Sequence, residues 1–592
     1  MSAYLAGWKR THLCAAVANA EINTTVTVMG WVQKRRNLGG LVFIDLRDYT
    51  GIVQVVVDAA RAGQAAFDEA GDARGESVMA FRGTVSARVG NQINKELKTG
   101  HVEILCDELK TLSQCAVLPY NLDDPRTSDA LKYKHRYLGL RSPELQQNLR
   151  MRHKICRTVR DYLDAQGFCE IETPMLCRST PEGARDYLVP SRVSPGQFYA
   201  LPQSPQIYKQ LLMVSGCDRY YQLARCFRDE DLRADRQPEF TQIDMEMSFV
   251  EQEDVLEVSE GMINAVFAAV SPGHEIMQWP RMSYAQAMEQ YGSDKPDMRV
   301  EMLLQTVNSV FAASEHPLWQ GGKNGRIAAI CVPEGGKLTR KEIDALAEVA
   351  KTYRAGGLAW YVPGEPPRGS ILKALSDAEA TDLCQVLKAN NNDLVLIISD
   401  ADYNITSTAL GHVRLAVAEK LDMLNPAVLK PLWVTEFPFF EHDRENDAYI
   451  AMHHPFTMPM EQDIPLLETR PQDVRAQAYD IVINGTEIAS GSIRIHDSAL
   501  QERMFALLKI EREEAWRRFG FLLEAFRYGP PPHGGIAPGL DRLAMLLCGA
   551  ESIRDVVAFP KMQNARDIMS DAPNVVDDEQ LGVLGLKIEE AK

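Results

Sequence analysis

The chain has 592 residues, 45% hydrophobic and 24% charged, as expected for a globular protein of roughly three or four domains. Its 64 basic and 81 acidic residues give a net charge of −17, which disfavours nonspecific nucleic-acid binding but permits a local basic patch such as Lys34-Arg35-Arg36. No apolar run suits a membrane span or a signal peptide, and the 11 cysteines form no Cys-x-x-Cys pair, so we expect a cytoplasmic protein without membrane attachment or structural zinc.

The N-terminal part alternates apolar and polar residues in short runs, which predicts β-strands. A helical interval around residues 59–69 separates the third and fourth strands. Five short strands with one helical interval are typical of an OB-fold, a barrel whose face from strands 2 and 3 binds single-stranded nucleic acid. We therefore predict an OB-fold domain over residues 1–112, with strands at 25–32, 41–46, 51–57, 77–85 and 101–105.

A proline-bearing linker is predicted over residues 113–135. The spacing of Ile155, Val159 and Leu163 then predicts a helix over about residues 143–166 that ends at Gly167. A short strand and a proline follow within residues 167–176.

Residues 227–246 are the most informative stretch, because arginines and carboxylates alternate there before a strand-like run from Phe240 to Glu246. A strand, a charged loop and a returning strand would hold guanidinium groups over a polyanion and place carboxylates near amines. The alternative is a solvated charged hairpin.

Residues 290–430 contain predicted helices at 339–354 and 376–387 and buried strands at 327–330 and 394–398. This pattern predicts an inserted α/β domain, and no chemistry of its own is apparent in it. The insertion divides one catalytic domain into residues 136–289 and 431–560, and residues 561–592 form a C-terminal extension.

Three segments are similar to the signature motifs of class II aminoacyl-tRNA synthetases, and in particular of the aspartyl enzymes of bacterial type. Residues 167–176 resemble motif 1, residues 227–246 resemble motif 2, and residues 535–543, a glycine-bearing strand that enters a helix, resemble motif 3. The resemblance covers nearly the whole chain. It implies an α+β multidomain protein whose catalytic domain has an antiparallel sheet, with an insertion that is structural or contacts the tRNA acceptor end.

The resemblance implies activation of L-aspartate with ATP, transfer to the 3′ end of tRNA-Asp, Mg²⁺ as cofactor, and a homodimer formed through the motif 1 region. The expected catalytic residues are Arg228, which bridges the α-phosphate and the substrate carboxylate, and Arg542, which binds the γ-phosphate. The other expected ATP-binding residues are Asp229, Glu230, Gln237, Glu487, Gly539, Leu540 and Asp541. Asp480 and Glu487 are the expected Mg²⁺ ligands, since Mg²⁺ requires hard oxygen donors. Without the resemblance they would suit an exposed pair of hairpin acids equally well.

The aspartate-binding residues that the resemblance implies, besides Arg228, are Glu182 in a closing loop, Ser204, Gln206, Lys209, Asp244, His453 and Arg494. Asp244 suits the α-ammonium group. Lys209 and Arg494 in one small pocket are costly without an anion, and the side-chain carboxylate of aspartate would satisfy both. Asparagine would leave a cation underpaired, for a discrimination on the order of 10⁴.

For tRNA, the resemblance implies anticodon contacts from Arg36, Phe43 and Gln54, although Phe43 could instead fill the barrel. Leu38 and Asn91 occupy loops that bear on discrimination between tRNA-Asp and tRNA-Asn; Leu38 favours tRNA-Asp alone, and Asn91 does not decide.

The sequence also departs from the family pattern, because Ala489 and Ser490 stand where the family often has glycines, and their side chains would narrow the pocket floor. The alternatives are an asparagine- or lysine-specific relative, a catalytically altered tRNA-binding paralogue, and a small-molecule ligase. The Lys209–Arg494 pair and the insertion disfavour the first. The presence of all the motif residues disfavours the second, and the N-terminal barrel disfavours the third.

Overall fold

The computed structural model describes residues 4–180, 184–271, 279–443 and 448–589. They divide into two compact units, Met1–Gln147 and Asn148–Lys592. None of the described helices is both long enough and apolar enough to cross a bilayer.

The N-terminal unit contains a closed five-stranded barrel, in the order β1-β2-β3-β5-β4, which confirms the predicted OB-fold. Alternate residues of each strand, such as Val42, Ile44 and Leu46, are fully buried in its core, as the period-two pattern requires. The predicted linker contains a short helix. The elements are β1 (Thr25–Asn37), β2 (Leu41–Asp48), β3 (Gly51–Asp58), α1 (Ala59–Ala62), α2 (Gln64–Asp72), β4 (Val78–Ala87), β5 (Val102–Ser113), α3 (Asp129–Lys134) and α4 (Arg136–Gly139).

The first part of the second unit opens with the long predicted helix and continues into the strand–loop–strand of the charged run. Gly167, at φ +79°, follows that helix in a left-handed conformation that suits glycine. The elements are α5 (Pro143–Ala165), β6 (Cys169–Glu170), β7 (Leu188–Pro190), β8 (Phe198–Ala200), α6 (Gln206–Val214), β9 (Arg219–Phe227), β10 (Glu239–Ser248), α7 (Gln252–Val270), β11 (Arg281–Ser283) and α8 (Tyr284–Gln290).

The insertion folds around a five-stranded antiparallel sheet in the order β12-β13-β16-β14-β15. Helices α10 and α12 pack on one face of the sheet, and α9 and α11 pack on the other. Capping boxes at Thr339 and Ser376 fix the starts of α10 and α11. The elements are β12 (Gln305–Thr306), α9 (Pro317–Lys323), β13 (Arg326–Val332), α10 (Arg340–Thr352), β14 (Ala359–Val362), β15 (Arg368–Gly369), α11 (Asp377–Leu387), β16 (Leu394–Asp400) and α12 (Tyr403–Lys420).

Four of the remaining strands complete an eight-stranded sheet in the order β11-β17-β20-β21-β22-β10-β9-β6, antiparallel except at its two outer pairs, and β18 and β19 pair separately. The remaining elements are β17 (Pro431–Thr435), β18 (Phe440–Asp443), β19 (Ala448–Ala451), β20 (Ala478–Ile483), β21 (Thr486–Ile493), α13 (Ser498–Leu507), α14 (Arg512–Ala525), β22 (His533–Pro538), α15 (Leu540–Cys548) and α16 (Asp578–Leu584).

The pattern of β10 explains how this sheet forms both a core and a site. Ile243, Met245 and Met247 are buried in the core formed with α5, α7 and α15. The alternate residues Asp244 and Glu246 therefore point to the opposite face. Since β10 lies beside β9 and β22, the strands of the second and third predicted motifs are direct neighbours.

Candidate active site

A cavity of about 500 Å³ opens on the polar face of the eight-stranded sheet. Its wall brings together side chains that are far apart in the sequence, from β10, β21, α6 and the start of α15. The predicted site residues that line it are Ser204, Gln206, Lys209, Arg228, Glu230, Gln237, Asp244, His453, Glu487, Arg494, Gly539, Asp541 and Arg542.

Three predicted residues do not line this cavity. Asp229 is paired with Arg185, with 3.4 Å between Oδ2 and Nε. Leu540 is buried in the apolar core, so only its main chain is available to a nucleotide. Asp480 is 4% exposed and lies opposite Ser490 on the neighbouring strand. Glu182 lies outside the described residues.

Three buried charges line the cavity, Lys209, Asp244 and Arg494. A fourth buried charge, Glu246, pairs with Lys209 and Arg494, and we call these four residues the buried quartet. The Lys209 ammonium lies 3.0 Å from Asp244 Oδ2 and 3.2 Å from Glu246 Oε2. Arg494 Nε donates to Glu246 Oε1 at 3.0 Å. The anion expected for Lys209 and Arg494 was the side-chain carboxylate of the substrate, but two carboxylates of the protein already neutralise these cations in the structure.

Glu246 is the quartet residue that the sequence prediction missed. Its signal was present, since Gln242, Asp244 and Glu246 alternate along β10 and must share a face. Gly535 on β22 makes room for it, because a Cβ there would lie 2.0 Å from Glu246 Oε2.

The two carboxylates of the quartet titrate differently. Burial raises the pKa of Glu246, but the charges of Arg494 and Lys209 outweigh burial and lower it to about 2. Burial also raises the pKa of Asp244, which Lys209 offsets only in part and Glu246 raises further, so it reaches about 6. Asp244 is thus the more readily protonated of the two.

Several buried polar atoms at the cavity have no hydrogen-bond partner among the described residues: Asp244 Oδ1, Gln206 Nε2 and His453 Nε2. Leaving a buried donor or acceptor unsatisfied costs about 1–3 kcal/mol, so a ligand that pairs with these atoms would be stabilised by their hydrogen bonds. Asp244 Oδ1 can accept a hydrogen bond, and Gln206 Nε2 can donate one. A ligand with both an ammonium group and an acceptor fits them.

The adjacent histidines are both neutral at pH 7. Burial lowers the pKa of His453 to about 4, and its ring stands edge-on to Phe437. Burial and the charges of Arg494 and Lys209 lower the pKa of His454 to about 3, and its Nδ1 accepts the Phe456 N–H at 3.3 Å. Both histidines line the cavity, and His454 also supports the local backbone through its bond to Phe456.

Arg228 differs from the other arginines of the cavity wall. Its guanidinium lies 5.1 Å from the centre of the Phe240 ring and has no ion-pair partner among the described residues. The others are paired: Arg494 with Glu246, Arg236 with Glu230 at 3.1 Å, and Arg542 with Asp235 at 3.2 Å. Arg228 is therefore the cavity arginine most available to an incoming anion.

Gln237, a predicted ATP contact, also binds the C-terminal segment. Its Nε2 donates to the carbonyl of Lys561 at 3.2 Å, and its Oε1 accepts the Lys561 N–H at 2.8 Å. The Lys561 ammonium lies 3.0 Å from Glu239. The Gln237 amide thus holds the charged loop against the chain segment that follows α15.

The start of α15 combines a structural carboxylate with a cation. Asp541 accepts from Arg152 of α5 and from the main-chain N–H of Thr241 at 2.9 Å, so it joins α15 to two other elements. Arg542 Nη1 donates to the carbonyl of Glu487 at 3.0 Å. A helix N-terminus with a neighbouring guanidinium favours a phosphate group.

The predicted Mg²⁺ pair lies on β20 and β21. Burial and the charge of Glu487 raise the pKa of Asp480 well above its ordinary value, and Asp480 Oδ1 has no partner among the described residues. The described residues contain no group of three metal-ligating side chains. Two carboxylates nevertheless fit Mg²⁺, which keeps several waters and takes ligands from substrate phosphates.

Ala489 and Ser490, which stand where the family often has glycines, contribute to the wall of the cavity. The Ser490 side chain lowers the pKa of Asp480, against the larger raising effects of burial and of Glu487. The added side chain thus supports one member of the carboxylate pair.

In the barrel, the predicted anticodon residues are neighbours. Arg36 Nη2 donates to Gln54 Oε1 at 3.1 Å, and Arg36 Cζ lies 5.8 Å from the centre of the Phe43 ring. Gln54 Nε2 donates to Glu103 at 2.8 Å, and Glu103 was not predicted. Phe43 is half-buried on the outer surface, so it does not fill the barrel.

The two predicted discrimination residues lie in loops of the same unit. Leu38 is 71% exposed between β1 and β2. Asn91 is exposed between β4 and β5.

Comparison with known proteins agrees with this geometry. The family model of OB-fold nucleic acid binding domains matches residues 26–112, and that of tRNA synthetases class II (D, K and N) matches residues 128–563. The chain is 50% identical over 593 residues to an aspartate–tRNA(Asp/Asn) ligase of Thermoanaerobacter pseudethanolicus, with 100% of both chains covered. It is 51% identical over 587 residues to an aspartate–tRNA ligase of Ruminiclostridium cellulolyticum, with 98% of both covered.

A solved structure of a putative aspartyl-tRNA synthetase from Leishmania major Friedlin shares the fold, with a TM-score of 0.59 at 19% identity over 93% of this chain and 94% of that chain. Asparaginyl-tRNA synthetase from Pyrococcus horikoshii gives a TM-score of 0.57 at 17% identity over 91% and 95%. The family match and the identity to full-length relatives together establish that the chain belongs to the class II aminoacyl-tRNA synthetases, in the aspartyl-tRNA synthetase family of bacterial type.

Proposed function

We propose that the protein is an aspartate–tRNA ligase that activates L-aspartate with ATP and transfers it to the 3′ end of tRNA-Asp. The observation that carries the proposal is the charge arrangement of the cavity. The buried quartet has two cations and two carboxylates, and Arg228 lines the same cavity without an ion-pair partner among the described residues, so these five side chains carry one net positive charge. Asp244 Oδ1 also lacks a hydrogen-bond partner in the described part of the chain. L-aspartate supplies one net negative charge and an α-ammonium group.

The quartet keeps donors for the substrate side chain. Lys209 has three N–H donors and contacts two carboxylates of the protein, and Arg494 uses three of its five donors on Glu246 and Ser492. The remaining donors suit the side-chain carboxylate of aspartate. Asparagine adds no charge and offers an amide N–H₂ to these donors, so we expect it to be rejected.

Activation needs alignment more than chemical assistance from the protein. Arg228 binds the substrate α-carboxylate and the α-phosphate together, so one carboxylate oxygen approaches the α-phosphorus. A bond forms between that oxygen and phosphorus, and the bond from phosphorus to the bridging oxygen breaks, which releases pyrophosphate. Arg542 and Arg236 exchange their carboxylate partners for the β- and γ-phosphates.

Asp480 and Glu487 would hold Mg²⁺, which neutralises phosphate charge when bound. In the second step the terminal ribose hydroxyl of the tRNA attacks the aspartyl carbonyl. The proton of that hydroxyl passes to an oxygen of the adenylate phosphate. The bond between the aspartyl carbonyl carbon and the phosphate oxygen breaks, and AMP leaves. No side chain is needed as a base.

The barrel face of Arg36, Phe43, Gln54 and Glu103 is proposed to bind the anticodon. The exposed Leu38 favours tRNA-Asp alone. Among the relatives similar to this chain, one is named an aspartate–tRNA(Asp/Asn) ligase and another an aspartate–tRNA ligase. We further propose a cytoplasmic homodimer formed through the motif 1 region.

Two reactions measured separately test the proposal. Aspartate-dependent ATP–pyrophosphate exchange tests activation, with L-asparagine and L-lysine as controls. Charging of purified tRNA-Asp and tRNA-Asn with labelled aspartate tests transfer and tRNA range. Exchange supported by asparagine instead of aspartate would refute the substrate assignment, and exchange with neither amino acid would favour the catalytically altered paralogue.

A further inference from the structure

The chain segment that enters the insertion reaches the carboxylate pair of the nucleotide site. Lys295 lies between α8 and β12, and its Nζ is 3.1 Å from Glu487 Oε2. The other oxygen of Glu487 lies 3.8 Å from Arg542 Nη1. Glu487 is thus between two cations: Arg542 lines the cavity, while Lys295 approaches from outside its wall.

The backbone around Lys295 is fixed by the insertion. The Lys295 N–H donates to Ser293 Oγ at 3.0 Å, which forms a local turn. Two residues on, the carbonyl of Asp297 accepts from Arg414 Nη2 at 2.8 Å, and that of Val300 accepts from the same nitrogen at 2.6 Å. Arg414 belongs to α12 and is 1% exposed, so the segment bearing Lys295 is attached to the core of the insertion.

The β20–β21 hairpin that bears the carboxylate pair also contacts both ends of the insertion. At its tip, Asn484 Nδ2 donates to the carbonyl of Val428 at 2.7 Å, and Asn484 Oδ1 accepts the Lys430 N–H at 2.9 Å. Gly485, at φ +78°, lies so close to Asp297 that a Cβ would be 3.3 Å from its Cβ. The insertion therefore fixes the hairpin and supplies a cation to it.

We propose that the Lys295 ammonium serves as an internal counter-ion of the Asp480–Glu487 pair in the nucleotide-free protein and is displaced from Glu487 when a divalent cation binds. The inference rests on the metal role proposed above for that pair. Two adjacent carboxylates with no cation repel each other, and an ammonium group reduces that repulsion. A divalent cation at the same oxygens would in turn repel the ammonium, so the two cations compete for Glu487.

The test is a titration of the full-length, nucleotide-free protein with Mn²⁺. Binding is measured from the electron paramagnetic resonance signal of the Mn²⁺ that remains free. Lys295→Met removes the competing charge and should tighten Mn²⁺ binding by about threefold or more, as expected for loss of a half-exposed ion pair. Lys295→Arg keeps the charge and should bind Mn²⁺ like the unmodified protein. Lys295→Gln is a second neutral variant in case Lys295→Met does not fold.

Unchanged or weaker Mn²⁺ binding in both neutral variants would overturn the proposal and leave Lys295 a structural residue. Glu487→Gln identifies the site, since it should weaken Mn²⁺ binding and abolish the gain from Lys295→Met. If Glu487→Gln changes nothing, the metal assignment fails together with the counter-ion role. Failure of the proposed ligase function would appear instead as absent pyrophosphate exchange in the unmodified protein, while the Mn²⁺ titration stays interpretable.

Discussion

The two ends of the cavity use charge in different ways. At the end proposed to bind aspartate, which we call the aspartate end, the side chains of Lys209, Asp244, Glu246 and Arg494 are at most 6% exposed, and each cation is paired inside the protein. At the end proposed to bind the nucleotide, ion pairs are more exposed: the side chains of Arg236 and Glu230, which pair with each other, are 38% and 28% exposed.

This difference in burial matches the two tasks of the site. A buried, fully paired set of charges cannot rearrange without a large energetic cost, so it suits the selection of one amino acid. Half-exposed pairs exchange partners at low cost, so they suit phosphates and metal ions that arrive and leave.

Arg228 is the residue proposed to bind both the amino acid and the nucleotide, so its loss should have the largest effect. Since it has no ion-pair partner among the described residues, Arg228→Ala should leave the fold intact. Aspartate-dependent pyrophosphate exchange should fall by about 10³-fold or more, as for loss of a donor that aligns and stabilises the transition state. Full activity in a folded Arg228→Ala variant would overturn the site assignment.

Matched carboxylate-to-amide changes compare the two ends directly. Glu246→Gln leaves Lys209 and Arg494 underpaired in a buried setting and should cost about 3–5 kcal/mol of stability. Glu230→Gln removes the partner of Arg236 in a half-exposed setting and should cost about 1 kcal/mol or less. Denaturant unfolding of both variants measures the contrast, and equal losses would show that the ends do not differ as described.

The buried histidine at the aspartate end adds a pH dependence. His454 has a pKa of about 3 in the folded protein and an ordinary value of 6.5, so below pH 6.5 the unfolded chain binds a proton that the folded state does not. Stability from neutral His454 is complete above pH 6.5 and falls by about 1.4 kcal/mol per pH unit down to about pH 3. At pH 5 this amounts to about 2 kcal/mol.

His454→Asn keeps an acceptor for the Phe456 N–H and removes the titration. Its stability relative to the unmodified protein should therefore improve by about 2 kcal/mol between pH 7 and pH 5. The difference between the two proteins is the quantity to measure, because Asp244, with its pKa raised to about 6, acts in the opposite sense over part of that range. A pH-independent difference would show that His454 is not buried in neutral form.

The sequence was sufficient where the chemistry is local or periodic. Alternation along Val42, Ile44 and Leu46 predicts a strand of the barrel, and helical spacing from Ile155 to Leu163 predicts α5. The resemblance to one family pointed to residues that do line one cavity, from the second and third motif segments and from family-like segments outside them, such as those of Lys209 and Arg494.

What the sequence could not provide are pairings between distant side chains. Glu246 is visible on the polar face of β10, but its bond to Arg494 spans 248 positions. Lys295 and Lys561 are ordinary charged residues in irregular segments, and no periodicity marks a loop cation as the partner of a site carboxylate. Whether Arg228 is paired or free likewise depends on the folded arrangement around it.

The smallest predicted effect distinguishes the role of the barrel from that of the cavity. Gln54 is bonded to Arg36 and Glu103, so Gln54→Ala removes one group from the proposed anticodon face and leaves the catalytic unit untouched. Charging of tRNA-Asp should fall on the order of tenfold, the value of one good hydrogen bond, while pyrophosphate exchange stays near normal. Glu103→Gln tests the neighbour that only the structure identifies, and it should show the same separation. If either variant lost both activities equally, the barrel would support activation as well as tRNA binding, and the division of labour between the two units would have to be abandoned.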